Sequence, residues 1–188
     1  MGDEIDDVKT SLMAIGNRLA NRKPRPDVRF GAVFYRDVVD TEIVREIPLS
    51  NNLPAVREGI MDVKAEGGGD WPEHVGIGLH KALEMDWSHS EGGVRLVYLV
   101  ADAPPQNYDD GYDIPSALSI ARRMGVKIHV IGCSGLGSGI ASMQEIASST
   151  QGTFSHFERQ HNDQRGTTYS ASSSTSRRRE SSKVDGPF

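Results

Sequence analysis

The sequence predicts an α/β fold in which helices cover a mostly parallel sheet. Residues 94–100 form a nearly unbroken apolar run, VRLVYLV, which is typical of a strand buried on both faces. The run is followed by Asp102 and then by Pro104 and Pro105, two residues that cannot continue a hydrogen-bonded ladder. Helical patterns and short strand patterns alternate along much of the chain, as in other folds of this class.

The N-terminal third predicts a helix, a β-hairpin and a second helix. In residues 3–21 the apolar side chains recur at steps of three and four, which places them on one face of a helix. Residues 27–36 alternate as a strand does, and 41–47 form a second strand pattern after a short connection. Because so short a connection joins antiparallel neighbours, we expect a hairpin at the edge of the sheet. Residues 53–64 have the spacing of a short helix.

The rest of the chain predicts further helices and strands. We expect a helix from Glu73 to about Met85, with Pro72 at its start, where the missing N–H costs nothing. Gly76 and Gly78 inside that helix are expected to permit close packing on the sheet. The remaining predicted elements are the strand 94–101, the helix 114–124, the strand 126–131, the helix 140–149 and the strand 152–157.

Length and composition limit the function classes. The 188 residues correspond to one domain with a tail. A formal net charge of −5 argues against general affinity for nucleic acid, and no apolar run is long enough to span a bilayer. The acidic start, MGDEIDDVK, lacks the regions of a signal peptide, and the single cysteine, Cys133, excludes an internal disulfide. These features favour a cytoplasmic location, with Cys133 as a small buried hydrophobic residue.

The composition changes after residue 157. We assign the domain to residues 1–157 and predict that residues 158–188, which are rich in serine, threonine and arginine, form a disordered tail. The run RRRESS at 177–182 has the composition of a kinase substrate, although a solvated tail is the simpler interpretation.

Acidic residues in two loops predict a divalent-cation site. In open α/β sheets, ligands bind beyond the carboxyl ends of the strands, and Asp102 lies at such an end. Asp70 and Glu73 lie in the loop GGGDWPEH at 67–74, which leads into a helix. Mg²⁺ prefers carboxylate oxygens and keeps several waters, so a few carboxylates suffice. In the alternative interpretation Asp70 caps the helix, Glu73 favours its dipole and Asp102 caps its own loop. Spacing alone does not separate the two.

Two other motifs are weaker. The glycine run 132–139, GCSGLGSG, lies between a strand and a helix, as a dinucleotide loop does, but Ile140 occupies the position of the third glycine. A flexible connection is the favoured interpretation. The histidines lack metal-ligand spacing, since His74 and His80 are six residues apart and do not share a helix face. The nucleophile motif Gly-x-Ser-x-Gly is missing from the sequence.

Four segments resemble the von Willebrand factor type A domain: GGGDWPEHVGIGLHKAL, RLVYLVADAPPQ, VKIHVIGCSG and IASSTQGTF. The order of predicted elements agrees with that of the family, from residue 1 to about 157. The resemblance implies a doubly wound, Rossmann-like sheet with helices on both faces, an antiparallel edge strand and a metal-ion-dependent adhesion site. Domains of this family bind partner proteins, often through a partner carboxylate that completes the coordination of the cation, and are usually not enzymes.

The resemblance also implies roles for individual residues. Asp102 matches the family's aspartate at the end of the fourth strand, which usually ligates the ion through water. Asp70 lies where many members have a threonine ligand, and Glu73 resembles the glutamate ligand of integrin β-subunit domains. Asp3 and Glu4 resemble the pair that binds an adjacent regulatory ion there. We therefore expect Mg²⁺ or Mn²⁺ at Asp102, Glu73 and Asp70, no catalytic residue, and a protein ligand that presents an aspartate or glutamate carboxylate.

The sequence departs from the family at its start. The primary motif of the family, Asp-x-Ser/Thr-x-Ser, ends a first strand that lies just before the first helix, whereas here Met1 to Glu4 already correspond to the residues after that motif. In such a sheet that strand lies between the strands 27–36 and 94–101. We therefore expect an N-terminally incomplete domain, which binds a cation weakly or not at all.

Two other function classes remain open at this point. A carboxylate-bound Mg²⁺ serves phosphoester hydrolysis or phosphotransfer in many enzymes, and Asp102 and Glu73 would hold it here, although no nucleophile, placed lysine or phosphate loop accompanies them. In a purely structural domain the same carboxylates act only as caps. The protein-binding module is the preferred prediction.

Overall fold

A computed structural model describes residues 10–11, 14–19, 21–36, 38, 42–63, 73–160 and 168–174, the last seven and residues 158–160 without their side chains. Residues 10–11 and 14–19 are helical, within the helix predicted for 3–21, whose first turns lie outside the described residues. The remaining elements are β1 (Phe30–Tyr35), β2 (Val44–Ser50), α1 (Leu53–Met61), α2 (Val75–Glu84), β3 (Arg95–Ala101), α3 (Ile114–Met124), β4 (Val126–Gly132), α4 (Ile140–Ser149), β5 (Phe154–Gln160) and β6 (Thr168–Ser174).

The strands form two sheets. β1 and β2 pair as an antiparallel hairpin, and the second sheet has the order β3-β4-β5-β6. In that sheet β3, β4 and β5 are parallel, whereas β6 runs antiparallel to β5. The predictions of an α/β fold, a parallel central sheet and an antiparallel hairpin are therefore confirmed. Among the described residues, β1 and β3 are not joined by a ladder.

Among the described elements, helices cover both faces of the hairpin and one face of the larger sheet. α2, α3 and α4 pack on one face of the larger sheet around a core that includes Leu79, Ile128 and Met143. α1 packs on the hairpin through Val56 and Ile60 against Phe30, Ala32 and Phe34. Because side chains alternate along a strand, Phe34 and Tyr35 point to opposite faces of β1, and Tyr35 meets α2. The hairpin thus lies between α1 and α2.

The prediction that the 94–101 strand is buried on both faces is wrong for one face. Leu99 is 5% exposed and lies under the helices, whereas Leu96 is 39% and Tyr98 58% exposed. Among the described elements, α2 to α4 cover only the face that carries Leu99. On the other face Tyr98 stacks on His129 of β4, with ring centroids 5.1 Å apart.

The C-terminal part differs from the expected tail. Residues 168–174 form β6, paired with β5 from Phe154↔Ser174 to Gln160↔Thr168, where composition predicts disorder. A ladder needs peptide hydrogen bonds and not aliphatic side chains, so this pairing leaves little trace in the sequence. Residues 161–167 and 175–188, including RRRESS, lie outside the described residues. Among the helices that the structure describes, none is both long and apolar enough to cross a membrane.

Candidate functional site

Asp102 lies where the sequence predicts it, directly after the carboxyl end of β3. The neighbouring strand β4 ends at the same level, since Ala101 and Gly132 are register partners. The N–H of Cys133 donates to the carbonyl oxygen of Ala101 at 2.8 Å. This bond fixes the loop after β4 beside the loop that carries Asp102.

The glycine run supports the Asp102 loop. Gly135 has a φ of +107°, and a Cβ there would lie 2.9 Å from the carbonyl oxygen of Asp102. A Cβ on Gly139 would lie 2.6 Å from Cα of Pro104. The glycines thus allow one loop to lie directly on the other, which is a more specific role than the flexible connection predicted from the sequence. In the sequence, the signal for this role is that the glycines directly follow β4, the strand that pairs with β3.

Glu73 is bound to the same loop through its backbone. It forms an isolated parallel bridge with Pro105. The N–H of Glu73 donates to the carbonyl oxygen of Pro104 at 3.0 Å, and the N–H of Gln106 donates to that of Glu73 at 2.9 Å. The structure therefore brings two of the predicted ligands, Glu73 and Asp102, to one edge of the sheet. Oε2 of Glu73 is closed off from solvent.

The helix after Glu73 begins later than predicted. α2 starts at Val75, and its N-cap is His74, whose Nδ1 accepts a hydrogen bond from the N–H of Ile77 at 3.4 Å. The prediction of a helix from Glu73 is wrong because the backbone of Glu73 is engaged in the bridge to Pro105. His74 and not Asp70 is therefore the N-cap of α2. Asp70, Asp3 and Glu4 lie outside the described residues.

The predicted roles of the α2 glycines hold in part. A Cβ on Gly78 would lie 2.6 Å from Cδ1 of Tyr35, so this glycine lets α2 approach β1 of the hairpin sheet. A Cβ on Gly76 would lie 1.9 Å from the carbonyl oxygen of Tyr112. Gly76 therefore accommodates the loop before α3 and not a strand.

Two histidines near the site, His74 and His80, form hydrogen bonds with other protein groups. His74 is buried, and its Nε2 lies 2.7 Å from Oδ2 of Asp110. This hydrogen bond holds the pKa of Asp110 below its usual value. Nε2 of His80 lies 3.0 Å from both the carbonyl oxygen of Asp113 and Oγ of Ser116. These hydrogen bonds give His74 and His80 a structural role.

Tyr35 belongs to the site although sequence reasoning missed it. Its hydroxyl donates to the carbonyl oxygen of Val100 at 3.4 Å, across the space between the two sheets. Burial raises the pKa of Tyr35 far above its usual value, and the negative charges of Glu73 and Asp102 raise it further. The hydroxyl therefore stays protonated, and the surrounding potential is negative. In the sequence Tyr35 is only one alternating position of a strand.

The donor chemistry of this site fits a hard divalent cation. Glu73 and Asp102 offer carboxylate oxygens, and Mg²⁺ is commonly bound through one or two carboxylates while it keeps several waters. In the part of the chain that the structure describes, no group of three or more histidine, cysteine, aspartate or glutamate side chains is arranged to hold a metal. Water and groups outside that part would have to supply the remaining ligands.

Comparison with known proteins identifies the family of the chain. The family model of the von Willebrand factor type A domain matches residues 1–169. The chain belongs to this family. Type A domains are generally protein-interaction modules and not enzymes. No curated protein matches the chain.

A solved structure of a type A domain resembles this chain in its fold. The structure described as "Crystal Structure of the SpRpn10 VWA domain" is 16% identical, with a TM-score of 0.51 over 78% of this chain and 69% of that one. This likeness supports the fold alone. A further match is an "Uncharacterized Membrane Spanning Protein from Vibrio fischeri", 19% identical over 84% of this chain and 77% of that one. Its TM-score of 0.31 is too low to carry an argument.

Proposed function

We propose that this type A domain is a non-enzymatic protein-interaction module that engages its partner through Mg²⁺ or Mn²⁺. The observation that carries the proposal is the bridge between Glu73 and Pro105. It holds the backbone of Glu73 against the loop that follows Asp102, although the two residues come from separate parts of the chain. Hard oxygen donors gathered at the carboxyl end of a sheet are what these cations require.

Each residue has a distinct role in this proposal. Asp102 and Glu73 hold the ion or its waters, and Asp70 adds a third carboxylate. A partner aspartate or glutamate takes the exchangeable position. Two neighbouring carboxylates would repel the carboxylate of a partner unless a cation were bound between them, so we expect binding to depend on the cation. Asp3 and Glu4 are proposed to hold an adjacent ion.

The space between the two sheets supports a further part of the proposal. Among the described residues no ladder joins β1 to β3. A strand inserted between them would complete one continuous sheet and would end beside Glu73 and Asp102. We propose that such a strand, ending in Asp-x-Ser/Thr-x-Ser, supplies the rest of the ligands and tightens cation binding.

Calorimetric titration with Mn²⁺ and Mg²⁺ tests the cation site. Asp102→Asn and Glu73→Gln should each remove most of the binding, because each loses a charged ligand. Asp109→Asn, which changes an exposed carboxylate of the next loop, is the matched control and should bind as the unaltered chain does. Fusing the proposed strand to the N-terminus should increase the affinity.

Partner chemistry is tested with paired peptides that differ only in Asp or Asn at one position. The Asp peptide should bind in Mn²⁺ and not in EDTA, and the Asn peptide in neither. Turnover of a phosphoester substrate that depends on Asp102 would instead establish the enzymatic alternative. If Asp102→Ala changes the thermal stability equally with and without Mg²⁺, the carboxylate is purely structural.

A further inference from the structure

We propose that a cleft at the start of β1 is a second protein-binding site, which takes an acidic peptide segment with one large apolar side chain. The cleft has a volume of about 390 Å³ and is lined by the N-terminal helix near Leu19, the segment before β1, and the turn between β2 and α1. That volume lies within the range of about 300–1,000 Å³ that is usual for ligand sites. The inference is independent of the cation site.

The cleft and the candidate cation site lie at opposite ends of β1. Phe30, which lines the cleft, is the first residue of this strand. Tyr35, whose pKa is raised in part by the charges of Glu73 and Asp102, is the last. At about 3.3 Å per residue, roughly 16 Å of strand separates the two. A peptide in the cleft therefore need not touch the cation.

The floor of the cleft is apolar. Four partly buried side chains line it: Leu19, Val28, Phe30 and Leu53. Gly16 keeps the two helical walls close together, because a Cβ there would lie 2.6 Å from Cδ2 of Leu53. An apolar floor recessed between packed walls is suited to receive a protruding side chain, as the anchor pockets of protein interfaces do.

The rim of the cleft is basic in a protein of negative net charge. The segment RLANRKPR at 18–25 contains four cationic residues and no acidic one, whereas the whole chain has a formal charge of −5. Arg18 lies in the last turn of the N-terminal helix, where a cation stabilises the helix dipole, but Lys23 and Arg25 come after that turn. Arg25 lines the cleft. Among the ion pairs between described side chains, none uses Arg22, Lys23 or Arg25, so these cations are available to carboxylates of a partner.

A recessed floor with a basic rim favours one class of ligand. Membrane surfaces bind apolar side chains that protrude, whereas those of the cleft are recessed. Single-stranded nucleic acid stacks its bases on successive aromatic rings, and Phe30 is the one aromatic side chain that lines the cleft. An acidic peptide matches both features, because its apolar side chain fills the floor while an adjacent carboxylate pairs with the guanidinium of Arg25. Asp27, which also lines the cleft, restricts that carboxylate to the side of Arg25.

The test is a selection from a library of short random peptides on the full chain, in EDTA so that the cation site is empty. The selected peptides should share an aspartate or glutamate next to a leucine or an aromatic residue. Their affinity, measured by fluorescence anisotropy, should fall about tenfold in Arg25→Glu, because like charges then face each other, and it should fall with rising salt.

Two further variants make the test specific. Asn51→Trp, which fills the cleft from an exposed position on its rim, should also weaken binding although every charge is retained. Arg123→Glu, at an exposed arginine of α3, changes the net charge by the same amount as Arg25→Glu and should bind as the unaltered chain does. Thermal melting of each variant verifies that it is folded.

The outcomes separate this inference from the proposed function. Peptides without an acidic residue beside an apolar one, or equal affinities in Arg25→Glu and Arg123→Glu, would overturn it. Loss of binding in Asp102→Asn would move the peptide to the cation site and likewise overturn it. So would binding that depends on Arg25 but is seen only with phosphatidylserine vesicles or a single-stranded oligonucleotide. If the peptides bind as expected while the chain binds no Mn²⁺, the cleft stands and the cation site fails.

Discussion

The carboxylate of Asp110 lies 2.7 Å from Nε2 of His74, a side chain that is 1% exposed. Nδ1 of His74 accepts a hydrogen bond from the N–H of Ile77. The ring hydrogen is therefore on Nε2, which donates a hydrogen bond to the carboxylate of Asp110. Both ring nitrogens of a buried imidazole are thereby hydrogen-bonded, and the loop before α3 is tied to the start of α2. The bond lies one residue from Glu73, so it also stabilises the edge of the sheet where the candidate site lies.

Asp110→Asn should destabilise the domain at neutral pH and matter less in acid. The folded-state pKa of Asp110 is depressed by the His74 bond, so its stabilising contribution is present above the unfolded pKa and is lost as the pH falls through the folded value. The difference in melting temperature between the two proteins should therefore shrink below about pH 4. Asp109→Asn is the control. A difference that stays constant with pH would show that the carboxylate charge is not involved.

Leu79→Ala should be far more destabilising than Leu96→Ala. Leu79 is 2% exposed in the main core, whereas Leu96 is 39% exposed on the open face of β3. Truncation of a buried leucine costs about 2–5 kcal/mol, and a half-exposed one loses much less transfer free energy. Urea unfolding of both variants measures this. Equal losses would mean that both faces of β3 are covered in the folded protein.

Gly135→Ala should lower the free energy of unfolding more than Gly92→Ala does. Both glycines have a positive φ, but a Cβ at 92 would meet nothing within 4 Å, whereas at 135 it meets the carbonyl oxygen of Asp102. Gly92→Ala therefore measures the cost of backbone strain alone, which is about 1 kcal/mol. The additional loss of stability in Gly135→Ala measures the contact with the Asp102 loop. Thermal melting gives both values, and equal shifts would exclude that contact.

Thr150→Val should be destabilising although it keeps the shape of the side chain. Oγ1 of buried Thr150 accepts the N–H of Ile128 at 2.9 Å, and valine would leave that buried donor without this partner. Such a loss costs about 1–3 kcal/mol. Thr150→Ser retains the hydroxyl and should recover most of the stability in chemical denaturation. If the serine variant is as unstable as the valine variant, methyl packing and not the hydrogen bond decides the effect.

The sequence predicted best the elements that carry their own end signals. The predicted helix 114–124 matches α3 to the residue, because its apolar stripe is followed by Gly125, whose φ of +65° ends the helix. The start of α2 was misplaced because a contact with Pro105, distant in sequence, engages Glu73. β6 was missed because its ladder to β5 depends on backbone groups that every sequence has.

Some residues of the candidate site could be predicted from the sequence, and others could not. Asp102 could be predicted, since a carboxylate after a buried strand lies at the ligand-binding edge of an α/β sheet. Tyr35 could not, because nothing local indicates that its hydroxyl reaches Val100. The role of Gly135 was likewise hidden, since the oxygen that its missing Cβ would meet belongs to Asp102.

By itself the sequence determined the α/β class and the family, and it placed Asp102 directly after the third strand, because periodicity, turn residues and strand-end carboxylates are local properties. Only the tertiary structure decided which carboxylate pairs with which loop, which face of β3 stays exposed, and how Tyr35 joins the two sheets. Those features depend on contacts between residues far apart in the chain, and such contacts are fixed only when the elements pack together.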